Sequence, residues 1–424
     1  MAGFRYIGAS EDAGADAEAL DLLTISLMAP ARYNGSNGFA RHLDQAMASI
    51  ALDMELLDHV NAASGQSFEC TAYYADDAGT QAWCARHGDA HFSVLGIEFA
   101  RRLAAICQRV ADVVLPMNLS AEPRKDIPPD PELAGLLAGD TPVSEAELLA
   151  IVSRWPDPAS LAIQRPLGGC ALFYDMLRLV WMHELAHALC GHVAFAQDRL
   201  GLQQLHEFSV ERLEDPTALS LGTPRHEWLQ TLEVHADEFA ARYCVGQMLA
   251  GSDPVNEMMG PRIDLAQRQA VFNLACCLFA VMWSDAERRY MPHVSFRAPL
   301  ATISPAASRI HVVTPTSHPP AALRYMRFRG TQQLLCEEFA EGRPEAAAAT
   351  LGLLVDVASF GLVVELAQLG PAFSSLLITT PLLARTPDMK ILAAYEDHLM
   401  VLSAALAPEL SRSGYVPWLS LNGQ

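Results

Sequence analysis

Apolar residues dominate the middle of the chain in patterns that predict buried helices. The run from Leu172 to Met182 contains no proline or glycine and consists mainly of long apolar side chains, which is typical of a buried helix. Gly191 follows soon afterwards and supplies a stop signal for this helix. A second helix is predicted over residues 232–243. Its apolar face consists of Leu232, Ala236, Phe239, Ala240 and Tyr243.

A third apolar run, over residues 270–283, carries no charge and lies within a predicted helix over 261–290. A membrane-spanning helix needs about 20 consecutive apolar residues, and this run is shorter. We therefore expect a buried core helix here and no membrane span.

Strand signals are concentrated before the central helices. Residues 68–74 and 91–95 are rich in aromatic and β-branched side chains, and they predict two strands. Gly88 and Asp89 come just before the second strand and are typical of a hairpin turn. Earlier in the chain, residues 17–60 have a helical pattern with a break at 33–38.

A segment rich in proline and acidic residues, 116–167, precedes the first central helix. It predicts one short helix, from Ser144 to Trp155, which Ser144 opens as the capping residue. A long insertion at this place is either a lid over a cleft or an irregular surface excursion.

The composition indicates a folded protein with an acidic surface. The chain has 424 residues, of which 51% are hydrophobic, and a formal net charge of −20. Such a surface repels nucleic acid and anionic membranes, so we expect neither as a partner. The nine cysteines are odd in number and irregularly spaced, and the N-terminus lacks a signal-peptide pattern. We therefore expect a cytoplasmic protein without a disulfide framework.

The first central helix continues into the pattern His-Glu-x-x-His, at His183, Glu184 and His187. Residues four apart on a helix share one face, so the two imidazoles can bind one zinc ion. Glu184 can then act as general base toward a water molecule that the metal activates. His192 lies nine residues after His183, about 180° around a continuous helix, so we expect a capping or supporting role for it and not metal ligation.

The second central helix offers the third ligand. Glu233 and Asp237 are four residues apart and share one face, whereas His235 lies about 200° away from Glu233. We expect Glu233 to bind the metal and Asp237 to accept the free N–H of a ligating histidine. The alternative is an ordinary solvated acidic stripe.

These residues together resemble the gluzincin metallopeptidases of the group that contains the CAAX prenyl proteases and the bacterial and mitochondrial quality-control proteases. The resemblance rests on residues 183–192, on residues 233–237, and on Thr316-Ser317-His318-Pro319-Pro320-Ala321-Ala322-Leu323-Arg324. It implies that His318 and Arg324 line the active site and that His318 stabilises an oxyanion. It also implies that the strand over 91–95 is an edge along which a substrate backbone pairs. The small regulatory proteases of the ImmA/IrrE type are a second group that shares the metal helices.

The sequence thus predicts an α+β fold, predominantly helical, with a zincin-like core, a small antiparallel sheet and a helical C-terminal part. The expected organisation is an N-terminal helical segment over 1–60, a core over 61–340 and a helical extension over 341–424. The expected function is a zinc-dependent endopeptidase acting on protein or peptide substrates. The alternatives are a regulatory protease with one cytoplasmic target and a non-catalytic interaction protein that a metal stabilises.

Overall fold

A computed structural model shows a predominantly helical α+β fold, as predicted. It describes residues 4–9, 33, 35, 37–63, 68–76, 82–114, 128–139, 141–156, 168–202, 204–207, 225–251, 255, 265–290, 319, 321–340, 366 and 387–414. The helices are α1 (Gly38–Ala63), α2 (Ile97–Val114), α3 (Pro131–Ala138), α4 (Glu145–Val152), α5 (Gly168–Leu189), α6 (His192–Phe195, continued by a π-turn over Ala196–Leu200), α7 (Arg225–Ala250), α8 (Leu265–Tyr290), α9 (Ala321–Ala340) and α10 (Pro387–Ser413).

The strands form one mixed sheet in the order β1-β2-β4-β3-β5. They are β1 (Phe4–Ile7), β2 (Glu69–Ala75), β3 (Ala82–His87), β4 (Ala90–Gly96) and β5 (Gln204–Glu207). β2 pairs in parallel with both β1 and β4, whereas β3 pairs antiparallel with β4 and β5. The predicted antiparallel sheet is therefore wrong for two of the four pairings.

The local sequence encodes only one of these pairings. Gly88 has φ +62° in the tight turn that joins β3 to β4, as expected for the predicted hairpin. The parallel pairs join segments that are far apart or separated by a crossover, as Phe4 and Cys70 illustrate, so no turn signal announces them.

One further prediction about this sheet is wrong. β4 pairs with β2 on one side and with β3 on the other, so residues 91–95 do not form a free edge for a substrate. Within the described chain, β1 and β5 lie at the two ends of the strand order. Near the start of the chain, β1 precedes helix α1, which ends at Ala63.

Helix α5 is the central element of the fold. It is buried from Gly169 to Leu189 and packs against α1, α2, α7, α8 and the β3–β4 hairpin. A helix that is apolar on all sides requires such all-round burial. The Trp181 indole N–H donates to the Tyr74 hydroxyl at 2.9 Å and so attaches the sheet to the helix. Gly191, at φ +78°, ends the helical path as predicted.

The described part of the 116–167 insertion belongs to the core. Ser144 caps α4 as predicted, while α3 was not foreseen. The Trp155 and Phe173 rings lie 4.9 Å apart, so this part packs on the N-terminal half of α5. Phe173 precedes His183 by about 15 Å of helix. The rest of the insertion lies outside the described residues, so a lid stays a prediction.

The C-terminal helix α10 packs on the main core over its described length. α10 packs against α6 and α7, and its apolar residues share one hydrophobic cluster with α1, α5 and part of the sheet. Its end approaches the end of α5 very closely. A Cβ atom on Gly191 would lie 2.9 Å from the Gly414 nitrogen.

The predicted core helix over 270–283 is confirmed as part of α8, which is buried from Ala270 to Met282. No helix in the described part of the chain is both long and apolar enough to cross a membrane.

All nine cysteines are buried free thiols, so the structure contains no disulfide framework, as predicted. Burial raises the pKa of these thiols wherever a shift is resolved, and Cys190 beside the end of α5 is one example. The thiols with a raised pKa are therefore protonated at neutral pH, which disfavours their reaction as nucleophiles.

Candidate metal centre

Helices α5 and α7 pack against each other and bring three predicted ligands together. The His183 Nε2 atom lies 3.1 Å from Glu233 Oε2 and 3.1 Å from His187 Nε2. The His187 Nε2 atom lies 3.5 Å from Glu233 Oε1. Two imidazole nitrogens and one carboxylate thus converge on one point, and all three side chains are buried.

This spacing fits a metal ion. Ligands at 2.0–2.1 Å from a tetrahedral zinc ion lie about 3.3 Å from one another, and the three separations are 3.1, 3.1 and 3.5 Å. Each of the three residues offers one atom that can bind a metal ion, and the three atoms lie close to a common centre. The group could therefore hold a metal ion.

The other nitrogen of His183 faces Asp237. The distance from His183 Nδ1 to Asp237 Oδ1 is 2.9 Å, and both side chains are fully buried. A carboxylate next to one ring nitrogen of a metal-binding histidine can orient the ring so that its other nitrogen faces the metal. The structure thus places Glu233 and Asp237 on opposite nitrogens of the same imidazole.

Arg324 binds Asp237 from behind. Its Nε and Nη2 atoms donate to the two carboxylate oxygens, each at 2.7 Å. The guanidinium also lies 4.5 Å from the centre of the Phe279 ring, which is 5.8 Å from the His183 ring. Arg324 is predicted to line the active site. In the structure its guanidinium binds Asp237, and Asp237 in turn contacts the candidate ligand His183. His318, the other residue of that prediction, lies outside the described part of the chain.

A chain of imidazoles extends behind the other ligand, His187. The His187 Nδ1 atom lies 3.0 Å from His192 Nδ1, and His192 Nε2 lies 2.8 Å from His235 Nδ1. Burial lowers the pKa of His192 well below its usual value, and the neighbouring histidines add to this shift. Burial likewise lowers the pKa of His235 to about 3. Both rings are therefore neutral at neutral pH.

Sequence reasoning placed His192 and His235 away from the metal but missed the contact between them. On a continuous helix, His192 would face away from His187, but Gly191 turns the chain and brings the His192 ring against His187. The signal that could have revealed the contact is the pair of extra histidines, one in each metal helix.

Glu184 lies fully buried on α5 between the two histidine ligands in sequence. Helix α5 packs on β3, and the Glu184 charge adds to the effect of burial and of Cys70 in raising the pKa of the Cys84 thiol on that strand. The carboxylate is therefore close to the sheet side of the helix.

A second layer of charge balances the acidic residues of α7. Glu238 accepts from Arg242 Nε at 3.0 Å and from Arg327 Nη2 at 2.6 Å. Arg327 also donates to Glu396 of α10 at 2.9 Å. Burial opposes the charge of Arg327, but Glu238 and Glu396 outweigh it and raise its pKa. The predicted alternative of a solvated acidic stripe does not describe this helix, since Glu233, Asp237 and Glu238 are all buried.

Comparison with known proteins leaves the site to be judged on its own geometry. No protein-family model matches the chain. No curated protein and no solved structure matches it significantly either.

Proposed function

We propose that the protein is a zinc-dependent hydrolase that cleaves peptide bonds in protein or peptide substrates. The observation that carries this proposal is the convergence of His183 Nε2, His187 Nε2 and the Glu233 carboxylate at mutual distances of 3.1–3.5 Å. The general base predicted for such a centre, Glu184, is adjacent to the first ligand in sequence.

The ligand set favours zinc in a catalytic site. Two imidazoles and one carboxylate are a common catalytic zinc set, and such sites leave the fourth position to water or substrate. Structural zinc sites are instead closed by four protein ligands. Among the described residues, no fourth side chain joins the group of His183, His187 and Glu233.

A zinc ion held here would polarise the scissile carbonyl and lower the pKa of a bound water molecule. Glu184 would accept the proton from the attacking water and pass it to the leaving amine. Asp237 and Arg324 would keep the His183 ring in place, because both oxygens of the carboxylate are held by the guanidinium. The role of His318 as oxyanion donor stays a prediction from the resemblance to gluzincins.

The test compares three proteins: wild type, Glu184→Gln and Glu227→Gln. Glu227 is a matched control, because it is also a buried glutamate, yet it lies against His398 of α10 at 2.9 Å. Zinc content is measured by elemental analysis, and cleavage is measured on a peptide library with and without chelator. We expect Glu184→Gln to keep its zinc and lose roughly 100- to 10,000-fold in rate, the usual worth of a general base. Glu227→Gln should cleave at the wild-type rate.

Retained cleavage in zinc-loaded Glu184→Gln protein would refute the assignment of the base. Absence of bound metal in the wild-type protein would refute the metal centre itself.

The burial of the site favours a more specific form of this function, a regulatory protease with one target. His183 and Glu184 are each 0% exposed, His187 is 1% exposed and Glu233 is 3% exposed. A substrate must therefore gain access before it can reach the metal. Such an enzyme should leave a generic peptide library almost intact. In a cell extract it should cut few proteins, and mass spectrometry of the new N-termini would identify them.

The third possibility is a non-catalytic protein that the metal stabilises. In that case Glu184→Gln should leave the melting temperature unchanged. His187→Ala should lower it by as much as removal of the metal lowers that of the wild-type protein. Metal-dependent cleavage by the wild-type protein would exclude it.

A further inference from the structure

Beside the metal centre lies a second group of side chains that resembles a metal site. Cys190, His192 and His235 each offer a ligand atom, and these atoms lie within 4.8 Å of one another. All three side chains are buried. The group is in direct contact with the first centre, since His192 Nδ1 lies 3.0 Å from His187 Nδ1.

The positions of the ring protons decide whether this group is a second metal site or a chain of hydrogen bonds. If His187 binds the metal through Nε2, its remaining proton is on Nδ1, and that N–H points at His192 Nδ1. His192 must then accept at Nδ1 and carry its own proton on Nε2. That N–H donates to His235 Nδ1, 2.8 Å away. A neutral His192 with a proton on Nε2 has no lone pair left to bind a second metal.

We propose that His192 and His235 are positioning residues for the metal ligand His187, and that the Cys190–His192–His235 group stays metal-free while His187 binds metal. The two rings form a one-directional chain of hydrogen bonds that holds His187 in the tautomer with a free Nε2 lone pair. This inference rests on the proposed metal centre, but it does not depend on the reaction that the centre catalyses.

The distances support a hydrogen-bond chain over a second metal site. The separation of 2.8 Å between His192 Nε2 and His235 Nδ1 is a normal N–H···N distance. It is shorter than the separation of about 3.3 Å between two nitrogens on one tetrahedral zinc ion. The chain also gives His187 a neutral neighbour at Nδ1, whereas the Nδ1 atom of His183 lies 2.9 Å from the carboxylate of Asp237.

Matched substitutions at His192 test the positioning role. His192→Asn keeps an oxygen close to the position of Nδ1, where it can accept from His187, whereas the nearly isosteric His192→Leu cannot. Loss of a hydrogen-bond partner behind a metal ligand lowers metal affinity by roughly 10- to 100-fold. We expect this loss in His192→Leu and near wild-type affinity in His192→Asn, measured by zinc competition with a chromophoric chelator. His235→Leu and His235→Asn form a second such pair.

The control for loss of a buried imidazole is His42→Leu. His42 is buried and pairs with the Tyr174 hydroxyl at 3.1 Å, in contact with the N-terminal half of α5. This variant should bind zinc as tightly as wild type. Equal zinc affinity in wild type, His192→Leu and His192→Asn would overturn the positioning role.

Two measurements on the wild-type protein remain decisive even if the leucine variants do not fold. Elemental analysis should give one zinc ion per chain, and two ions, with the second lost in Cys190→Ala, would overturn the proposal. In the zinc-loaded protein, ¹⁵N NMR of the histidine rings should show His192 protonated at Nε2, and protonation at Nδ1 would overturn it. A wild-type protein that binds no zinc would overturn this inference together with the metal centre, whereas the other outcomes leave the metal centre standing.

Discussion

The buried ion pair between Arg324 and Asp237 gives the sharpest stability prediction. Both side chains are 0% exposed, and two hydrogen bonds of 2.7 Å join them. Arg324→Met would leave the Asp237 carboxylate buried without the guanidinium, and with only the His183 ring beside it. Breaking a buried pair in this way costs about 3–5 kcal/mol, which is a large part of the 5–15 kcal/mol that typically stabilises a protein.

The chain contains two matched controls for this substitution. Arg154 pairs with Asp112 in the same two-pronged geometry, at 3.0 and 2.6 Å, but the two side chains are 55% and 44% exposed. Exposed pairs contribute about 0–1 kcal/mol, so Arg154→Met should be nearly neutral. Arg268 pairs with Asp175 at 2.7 and 2.6 Å and is buried. Asp175 precedes His183 by about 12 Å of helix.

The assay is urea unfolding of the metal-free proteins, followed by zinc competition on the folded ones. Arg324→Met and Arg268→Met should lose similar free energies of unfolding, because each removes the guanidinium that binds both oxygens of a buried aspartate. Only Arg324→Met should also bind zinc more weakly, since only Asp237 contacts a ligand histidine. The reasoning is refuted if Arg324→Met and Arg154→Met lose equal stability, or if Arg268→Met weakens zinc binding as much as Arg324→Met does.

Two further predictions concern single positions away from the ligands. Gly191→Ala should destabilise the protein more than Gly201→Ala. Both glycines have positive φ, at +78° and +67°, but only at Gly191 would the new Cβ meet backbone, the Gly414 nitrogen at 2.9 Å. Strain at positive φ costs about 1 kcal/mol in both variants, and overpacking adds about 1–3 kcal/mol in Gly191→Ala alone. Gly191→Ala should therefore have the lower melting temperature, and equal melting temperatures would contradict the close approach to Gly414. Burial, with a contribution from Arg86, lowers the pKa of His91 to about 4 from its ordinary value of 6.5. Between these pH values the unfolded chain binds more protons than the folded protein. The contribution of the neutral His91 ring to the free energy of unfolding is therefore complete above about pH 6.5, and roughly 3 kcal/mol of it is lost as the pH falls toward 4. His91→Phe should show a correspondingly flatter pH dependence of the free energy of unfolding, and an unchanged slope would argue against a neutral buried ring.

The sequence predicted the elements whose signals are local. The mainly apolar run before His183 specified a buried helix, and Gly191 specified its end. The i, i+4 spacing of Glu233 and Asp237 placed both on one face. These signals are carried by neighbouring residues, so no knowledge of the tertiary structure is needed to read them.

The missed features all depend on contacts between distant segments. β1 has only four residues and acquires its conformation by pairing with β2, so its own pattern is uninformative. β2 and β4 are neighbours in the sheet although β3 lies between them in sequence, because β3 pairs on the other side of β4. The contact between His192 and His235 needs two conditions. The turn at Gly191 must redirect the chain at His192, and α7 must pack on α5 so that His235 lies beside it. Local periodicity contains none of this information.

The nine buried thiols described above give the protein a built-in set of labels for local unfolding. Alkylation of a protonated, buried thiol requires the surrounding segment to open, so the rate of labelling at each cysteine reports the frequency of that opening. Cys190 lies at the end of the metal helix, Cys170 at its start and Cys277 in the core helix α8. If substrate access requires the metal centre to open, Cys190 should be alkylated well before the other two. The order of labelling along the chain would then trace the route by which the buried centre becomes accessible.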